Sequence, residues 1–301
     1  MIATAQGNSD LELLVDDHRF VVRGRDHAAD FVTCAYQYRP AARRPFLSTL
    51  VGPSGRNVLE CGPADHAHHL GVWWGHGDVG GVDFALEHER DDRVHGRVEH
   101  VAFDEIVDDA PWFGFDEVLE WCDADGAALL TERRVLLAHF ADEQWYTVDL
   151  DSTYTAGSDL AFGDSALSAM PGVRVAEPLT TYGGGMMTSS RGASEEAGCN
   201  GERAAWIDRT GSRRGLWQRG YTEGVAVFDH PANSDHPARW VALDYGPLSP
   251  LPGHHFSGGG ALAAGASFRV RHRLLVHEGD AATADVPGHF ARYVDDSRDP
   301  A

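Results

Sequence analysis

The sequence predicts an all-β fold in which two large antiparallel sheets pack into a sandwich with few short helices. Short extended segments recur between Gly, Pro, Asp and Asn residues along the chain, and amphipathic helical repeats do not alternate with them. The chain has 301 residues, 43% of them hydrophobic, so it can bury a sizeable core. Many strands without alternating helices are typical of antiparallel all-β proteins.

The predicted strands are bounded by turn-forming residues and are rich in β-branched and aromatic side chains. In the last strand, Val270, His272 and Leu274 fall on one face. Arg271 and Arg273 fall on the opposite face, which is the alternation of a half-buried strand. In chain order the predicted strands are RFVVRG, DFVTCAYQY, PFLSTLVG, GVWWGH, GRVEHVAFDEIV, FGFDEVLEWCD, ALLTERRVLLAHF, QWYTVDLDSTYT, GVAVFDH, RWVALDYG and SFRVRHRLLVH.

One helix is predicted near the C-terminus, in ADVPGHFARYVDD, because Asp285 can cap its first turn close to Pro287. The polar, Gly/Ser-rich segment 186–203 is expected to be a long loop. We expect residues 1–301 to form a single sandwich domain with an acidic, helical tail from about residue 280. The length and number of strands match galactose-mutarotase-like supersandwiches, so that architecture is the predicted one.

The charge balance excludes several classes of partner. Lys and Arg total 25 against 46 Asp and Glu, which gives a formal net charge of -21, and every strong base is arginine. Such a chain has no cationic excess to replace the counterions of nucleic acid, and it is a poor ligand for anionic membranes. We therefore expect neither nucleic acid nor a membrane as partner.

The N-terminus and the cysteines indicate a cytoplasmic protein. The first residues lack the basic start and apolar stretch of a signal peptide, and no apolar run approaches the roughly 20 residues of a membrane span. The four cysteines lie far apart without a CxxC motif, which predicts neither a disulfide framework nor a cysteine-based zinc site.

The segment DHAHHLGVWWGHGDVGGVDF, residues 65–84, contains four histidines. His66 and His68 would point to the same face of a strand and could offer two nitrogens to a divalent ion such as zinc, manganese or iron. Without a metal, His66 and His76 could transfer protons, with Asp65 orienting an imidazole. A polar loop with locally bonded histidines is the alternative. The HExxH zinc pattern is absent.

A second polar segment, GVAVFDHPANSDHPARW, places His230 at the end of a predicted strand. We expect His230 to be catalytic and to line the same cavity as the first histidine segment. Glu132 could contact substrate, although a buried pair with Arg134 is the alternative interpretation. The residues expected to bind substrate are Trp74, Tyr182, Arg191, Glu132 and His255.

The chain resembles the soluble PmoA-like family in its histidine segment and three further motifs. The family pattern is DHPHHRG, then Tyr-Gly-Gly, then DHP-x-N, and Ala67 and Leu70 depart from it. The resemblance implies a soluble β-sandwich protein associated with sugar catabolism. It does not imply methane oxidation, because the methane monooxygenase subunits are membrane helices. The three further motifs are GVAVFDHPANSDHPARW, DYGPLSP and FRVRHRLLVHEG.

These features together favour a sugar-processing enzyme: a lyase, hydrolase or epimerase that uses histidine acid-base chemistry on a small carbohydrate. A non-catalytic carbohydrate-binding sandwich and a metal-dependent, cupin-like oxygenase remain open alternatives, as does a homo-oligomer. A nucleotide cofactor is not expected, because the glycines at 183–185 do not form GxGxxG. A serine hydrolase is not expected, because GxSxG is absent.

Overall fold

The computed structural model describes residues 11–26, 29–39, 41–88, 92–163, 167–216, 218–251 and 260–296. In these residues, two eight-stranded antiparallel sheets contain most of the strand residues. The predicted all-β fold of two large antiparallel sheets with few short helices is therefore confirmed, whereas the galactose-mutarotase-like topology stays a prediction.

The first sheet has the strand order β1-β2-β3-β4-β5-β13-β18-β17. Its N-terminal strands follow one another as a meander, and β13 crosses over from later in the chain to pair with β5. The bounds are β1 Leu11–Val15, β2 Arg19–Asp26, β3 Ala29–Gln37, β4 Phe46–Leu50, β5 Val72–Gly75, β13 Ala169–Arg174, β17 Arg239–Ala242 and β18 Pro247–Leu251.

The second sheet has the order β14-β15-β16-β20-β11-β10-β9-β8. Two short pairs, β6 Val82–Asp83 with β7 Val94–His95 and β12 Leu160–Ala161 with β19 Ala261–Leu262, lie outside both sheets. The bounds are β8 Arg97–Asp109, β9 Trp112–Cys122, β10 Ala128–His139, β11 Trp145–Ala156, β14 Met186–Ser189, β15 Trp206–Arg214, β16 Gly220–Asp229 and β20 Ser267–Glu278.

The main core lies between the sheets because successive side chains alternate across each strand. Val72 and Trp74 point into this core, whereas Trp73 belongs to a small apolar group on the outer face of the first sheet. Val227 points inward from the second sheet, and Phe228 points outward. Each sheet therefore has an outer face that can carry a separate site.

Two α-helices lie in the described residues, α1 Glu195–Cys199 and α2 Val286–Asp295. The predicted C-terminal helix is confirmed, and Asp285 caps it by accepting a hydrogen bond from the Gly288 backbone N–H at 3.2 Å. The expected loop at 186–203 is wrong, because that segment contains β14 and α1. Helix α2 covers an apolar patch on the outer face of the second sheet.

The four cysteines are free, as their separation in the sequence predicted. Among the described residues, no helix combines the length and the apolar character that crossing a bilayer requires.

Candidate functional site

The histidine segment folds as two consecutive turns before β5. The backbone N–H of His66 donates to the carbonyl of Pro63 at 2.9 Å, and that of His69 donates to the carbonyl of His66 at 2.9 Å. The strand geometry expected for His66 and His68 is therefore absent from this segment. The His66 ring instead lies nearly parallel to that of His69, with centroids 4.8 Å apart and planes at 12°.

Four nearly parallel rings form what we call the ring cluster: His66, His69, Trp73 and Tyr245. His69 lies 4.8 Å from Trp73 on one side. His66 lies 4.8 Å from Tyr245 on the other. The edge of His68 meets the His69 ring at 4.4 Å. The cluster thus joins the histidine turn to a tyrosine far away in the chain.

The crossover of β13 assembles this cluster on the outer face of the first sheet. β13 pairs with β5, opposite Trp73, and with β18, just after Tyr245. Gly172 faces Trp73, and a Cβ atom there would lie only 2.5 Å from Cζ2 of the indole. Glycine therefore allows the Trp73 ring to lie flat against β13.

Arg174 provides the positive charge of the site. Its Nε atom donates to Glu60 Oε2 at 2.9 Å, and its guanidinium lies 4.9 Å from the centre of the Tyr245 ring. Its Nη1 atom lies 3.5 Å from His69 Nδ1. Arg174, Glu60 and Tyr245 were not predicted as site residues. The DYG motif signalled Tyr245, whereas no local pattern distinguished Arg174 or Glu60.

Burial makes two of the imidazoles neutral bases at neutral pH. Desolvation, with smaller effects of His68, His66 and Arg174, lowers the pKa of His69 to about 3. Desolvation, followed by the charge of the buried Arg44, lowers the pKa of His68 to about 4. Neither ring holds a second proton near pH 7, so both present a lone pair.

Asp65 and His66 form the accessible end of the site. Asp65 Oδ2 lies 3.0 Å from His66 Nδ1, and the two side chains are 66% and 32% exposed. The contact with His66 is the main cause that lowers the pKa of the Asp65 carboxyl. An ionised carboxylate beside Nδ1 helps to orient the imidazole.

Tyr182 lies close to the ring cluster and is available to solvent. The backbone N–H of Thr181 donates to the carbonyl of Asp244 at 3.0 Å, which brings the Tyr182 turn beside Tyr245. The Tyr182 side chain is 76% exposed. The structure therefore brings four of the predicted site residues to one surface: Asp65, His66, His68 and Tyr182.

His76 is separated from that surface. Its side chain is completely buried, and its Nδ1 atom accepts a hydrogen bond from the Asp78 backbone N–H at 3.0 Å. Its ring meets Phe162 edge to face at 5.6 Å. Because His76 follows Trp74 by two residues, it shares the inward-facing side of the segment.

Trp74 and Glu132 lie between the two sheets and not at a substrate surface. Glu132 accepts hydrogen bonds from Trp121 Nε1 at 2.8 Å and from Ser152 Oγ at 2.8 Å. It also accepts two from Arg134, at 2.8 Å and 2.9 Å. The Arg134 guanidinium lies 3.8 Å from the centre of the Trp74 ring. The structure thus favours the alternative interpretation of Glu132, a buried pair with arginine.

His230 lies on a different sheet from the ring cluster, so the expected shared cavity does not form. Its ring meets Tyr293 of α2 at 5.0 Å on the outer face of the second sheet, where it lines a cavity of about 310 Å³. Arg191 is exposed and contacts Glu202 at 3.3 Å. His255 lies outside the described residues.

The sequence also predicts that His66 and His68 bind a divalent metal ion. Within the part of the chain that the structure describes, no group of three or more His, Cys, Asp or Glu side chains is arranged to hold a metal ion. The His66 and His68 ring centres lie 5.9 Å apart. A divalent metal ion therefore stays a prediction.

Fold and site together define a two-sheet antiparallel β-sandwich with a ring cluster on the outer face of its first sheet. The chain belongs to the family of unknown function DUF6807, whose model matches residues 27–291. The expected PmoA-like resemblance is therefore wrong, because the matching family is DUF6807 and no PmoA-like family is indicated. No curated protein matches the chain.

Several solved structures match the chain at very low identity and low structural similarity. An α-galactosidase from Lactobacillus brevis is 10% identical with a TM-score of 0.33, over 91% of this chain and 40% of that one. A heparinase III is 9% identical with a TM-score of 0.38, over 89% and 36%. A heparan sulfate lyase from Pedobacter heparinus is 8% identical with a TM-score of 0.38, over 90% and 37%. The chain thus spans well under half of each solved structure.

Proposed function

We propose that the surface around the ring cluster binds a small carbohydrate and transfers a proton to or from it through His66. The observation that carries this proposal is the Asp65–His66 contact of 3.0 Å at the exposed end of a cluster of neutral rings. A lyase, hydrolase or epimerase reaction on a glycoside or oxidised sugar is the chemistry we infer.

His66 is suited to proton transfer because it is both oriented and accessible. Asp65 contacts its Nδ1 atom, and the parallel rings of His69 and Tyr245 restrict rotation of the imidazole. The Nε2 atom is then the nitrogen that exchanges a proton with a substrate oxygen or carbon acid. Asp65 has the role of an orienting carboxylate.

His68, Arg174 and Tyr182 contribute to the surface in different ways. His68 is half-buried and neutral, so its lone pair can accept a hydrogen bond from a sugar hydroxyl. Arg174 is 7% exposed and held by Glu60, so it acts through the rings that it touches. Tyr182 offers the exposed aromatic face on which the apolar side of a sugar ring packs.

The test is turnover of a panel of glycosides and 3-keto-glycosides by the full chain. His66→Gln should lower kcat/KM at least about a hundredfold, because general acid-base catalysis contributes about that much. His18→Gln is the matched control, since His18 is an exposed histidine in the turn between β1 and β2. Full activity of the His66→Gln enzyme on a confirmed substrate contradicts the proposal.

A non-catalytic carbohydrate-binding role is the second candidate, and the exposure of Tyr182 favours it. An aromatic side chain that is 76% exposed beside a fixed cluster can bind a sugar without any chemistry. Saturable binding that needs Tyr182, with no turnover across the panel and no dependence on His66, would select this role over the catalytic one.

A further inference from the structure

A cavity of about 490 Å³ lies on the outer face of the second sheet beside the beginning of α2. Trp145 of β11, Thr222 of β16, His277 of β20 and His289 of α2 contribute to its walls. Cavities of this size hold small molecules. Because the ring cluster lies outside the first sheet, this cavity is separate from the site described above.

His277 is the most constrained polar residue of the wall. Its side chain is 1% exposed, and its Nε2 atom lies 2.8 Å from Asp208 Oδ1. Asp208 in turn accepts a hydrogen bond from Thr210 Oγ1 at 2.5 Å. The ring crosses over Gly224, where a Cβ atom would lie 2.7 Å from Cε1 of the imidazole. The ring is therefore fixed in one orientation.

The second nitrogen of His277 lacks a hydrogen-bond partner. Because Nε2 contacts the Asp208 carboxylate, Nδ1 is the ring nitrogen left for another hydrogen-bonding group. Nδ1 is buried and has no partner within the described residues. A buried polar atom without a partner costs about 1–3 kcal/mol, so it marks a place where a hydrogen-bonding group is expected.

The charges around the cavity select a neutral ligand. Glu278 and Asp285 are the acidic wall residues, and they disfavour an anion. Both carboxylates already have partners that lessen their attraction for a cation: Glu278 contacts Arg219 at 3.3 Å, and Asp285 caps α2 and lies 3.7 Å from Arg292. Burial lowers the pKa of His289 to about 4, so this imidazole is neutral near pH 7.

The remaining wall groups suit a polyol. Trp145 is partly exposed and meets His289 edge to face at 4.4 Å, so its indole can pack against the C–H face of a ring. The Thr222 hydroxyl adds a group that donates and accepts.

We propose that this cavity is a second binding site, for a neutral polyhydroxylated small molecule whose hydroxyl forms a hydrogen bond with His277 Nδ1. The proposal rests on the cavity, its unpartnered nitrogen and its polar lining, in which both carboxylates already have partners. It does not depend on the function proposed for the ring cluster.

The experiment is a nitrogen NMR titration of the full chain labelled at histidine, with His277 assigned from the His277→Gln spectrum. The probes are d-glucose and myo-inositol, with d-glucuronate as the anion and d-glucosamine as the cation. We expect a saturable shift of the His277 Nδ1 resonance with a neutral probe, and at least tenfold weaker binding of glucuronate. No saturable shift with either neutral probe, or tighter binding of glucosamine, overturns the proposal.

Two variants locate the binding while His277 itself is retained. Thr283→Trp places an indole at an exposed position on the rim, and Trp145→Ala removes the packing surface. Each should weaken binding of the neutral probe at least tenfold. His66→Gln, on the other sheet, should leave it unchanged. If the neutral probe still shifts the His277 resonance in both cavity variants, the assignment to this cavity is wrong. This conclusion does not depend on the result at the ring cluster.

Discussion

The Nη1 atom of Arg174 lies 3.5 Å from the Nδ1 atom of His69, and this contact fixes the form of the buried imidazole. Arginine can only donate, so Nδ1 accepts and the single proton of His69 resides on Nε2. Desolvation, aided by this fixed cation, thus keeps the His69 ring at the centre of the cluster neutral, while the Asp65 carboxylate lies 3.0 Å from His66 Nδ1 at the exposed end.

Replacing Arg174 by methionine should raise the pKa of His69. The guanidinium is one of the charges that lower this pKa to about 3, but desolvation is the larger cause and persists in the variant. The pKa should therefore stay below 6.5, the ordinary value for histidine. NMR titration of the His69 ring measures it. Arg191→Met, which removes an exposed arginine in contact with Glu202, is the control. A lower pKa in Arg174→Met would contradict the electrostatic account.

The free energy of unfolding should fall as the pH drops from about 7 to about 5. Burial lowers the folded pKa of His69 to about 3 and those of His272 and His289 to about 4, against 6.5 for the free side chain. The unfolded chain therefore binds protons first, and stability present above 6.5 is lost on acidification. Each group contributes a slope of up to about 1.4 kcal/mol per pH unit.

Guanidinium unfolding at pH 7, 6 and 5 checks this slope, in a range above the ordinary pKa of most carboxyl groups. His289→Phe keeps a ring against Trp145 but cannot take up a proton, so its stability should depend less steeply on pH. A variant with an unchanged slope would show that His289 is already accessible to protons in the folded state.

Glu132→Gln should destabilise the sandwich by about 3–5 kcal/mol, because it leaves the buried Arg134 cation without its counter-ion. An amide would also present N–H groups to Trp121 and Arg134, which themselves donate. Equilibrium unfolding in urea measures the loss. Ser152→Ala, which removes a single neutral donor to the same carboxylate, should cost only about 1 kcal/mol. Equal losses would argue against a charge effect.

The fold could be predicted from the sequence because alternation along a strand is a local property. Val270, His272 and Leu274 face inward and Arg273 faces outward, as the period of two requires. The same rule, extended from Trp74 to His76, would have assigned His76 to the interior. The candidate site was harder to predict because His66 and His69 lie in turns, where the rule does not apply.

The partners of the histidines could not be predicted, because they depend on which strands pair. Arg174 reaches His69 only through the crossover that sets β13 beside β5, and Tyr245 arrives through the next pairing, with β18. Nothing local to residues 65–69 specifies either neighbour. The same long-range order separates His230 from His66 by placing them on different sheets.

Tyr182→Ala should weaken carbohydrate binding at the ring cluster about tenfold and leave stability within about 0.5 kcal/mol of the original. The side chain is 76% exposed, so little of its surface contributes to the core. Calorimetric titration with the best ligand of the glycoside panel measures the affinity, and thermal unfolding measures the stability. Tyr182→Phe should retain most of the affinity, since the ring face is preserved. Weaker binding by both variants would show that the affinity depends on the Tyr182 hydroxyl and not on packing against the ring.

Gly224→Ala should destabilise the protein by about 1–3 kcal/mol and displace the His277 ring. The new methyl group would lie 2.6 Å from the carbonyl oxygen of Arg209 on β15 and 2.7 Å from His277 Cε1. The neighbouring strand and the imidazole must therefore both move, which lengthens the contact with Asp208. Gly220→Ala is a matched control on the same strand, because a Cβ atom there meets nothing within 4 Å. Equilibrium unfolding and the nitrogen resonances of His277 report the two effects. If both alanine variants keep the stability and the His277 resonances of the original protein, the contact between His277 and Gly224 does not determine the orientation of the ring.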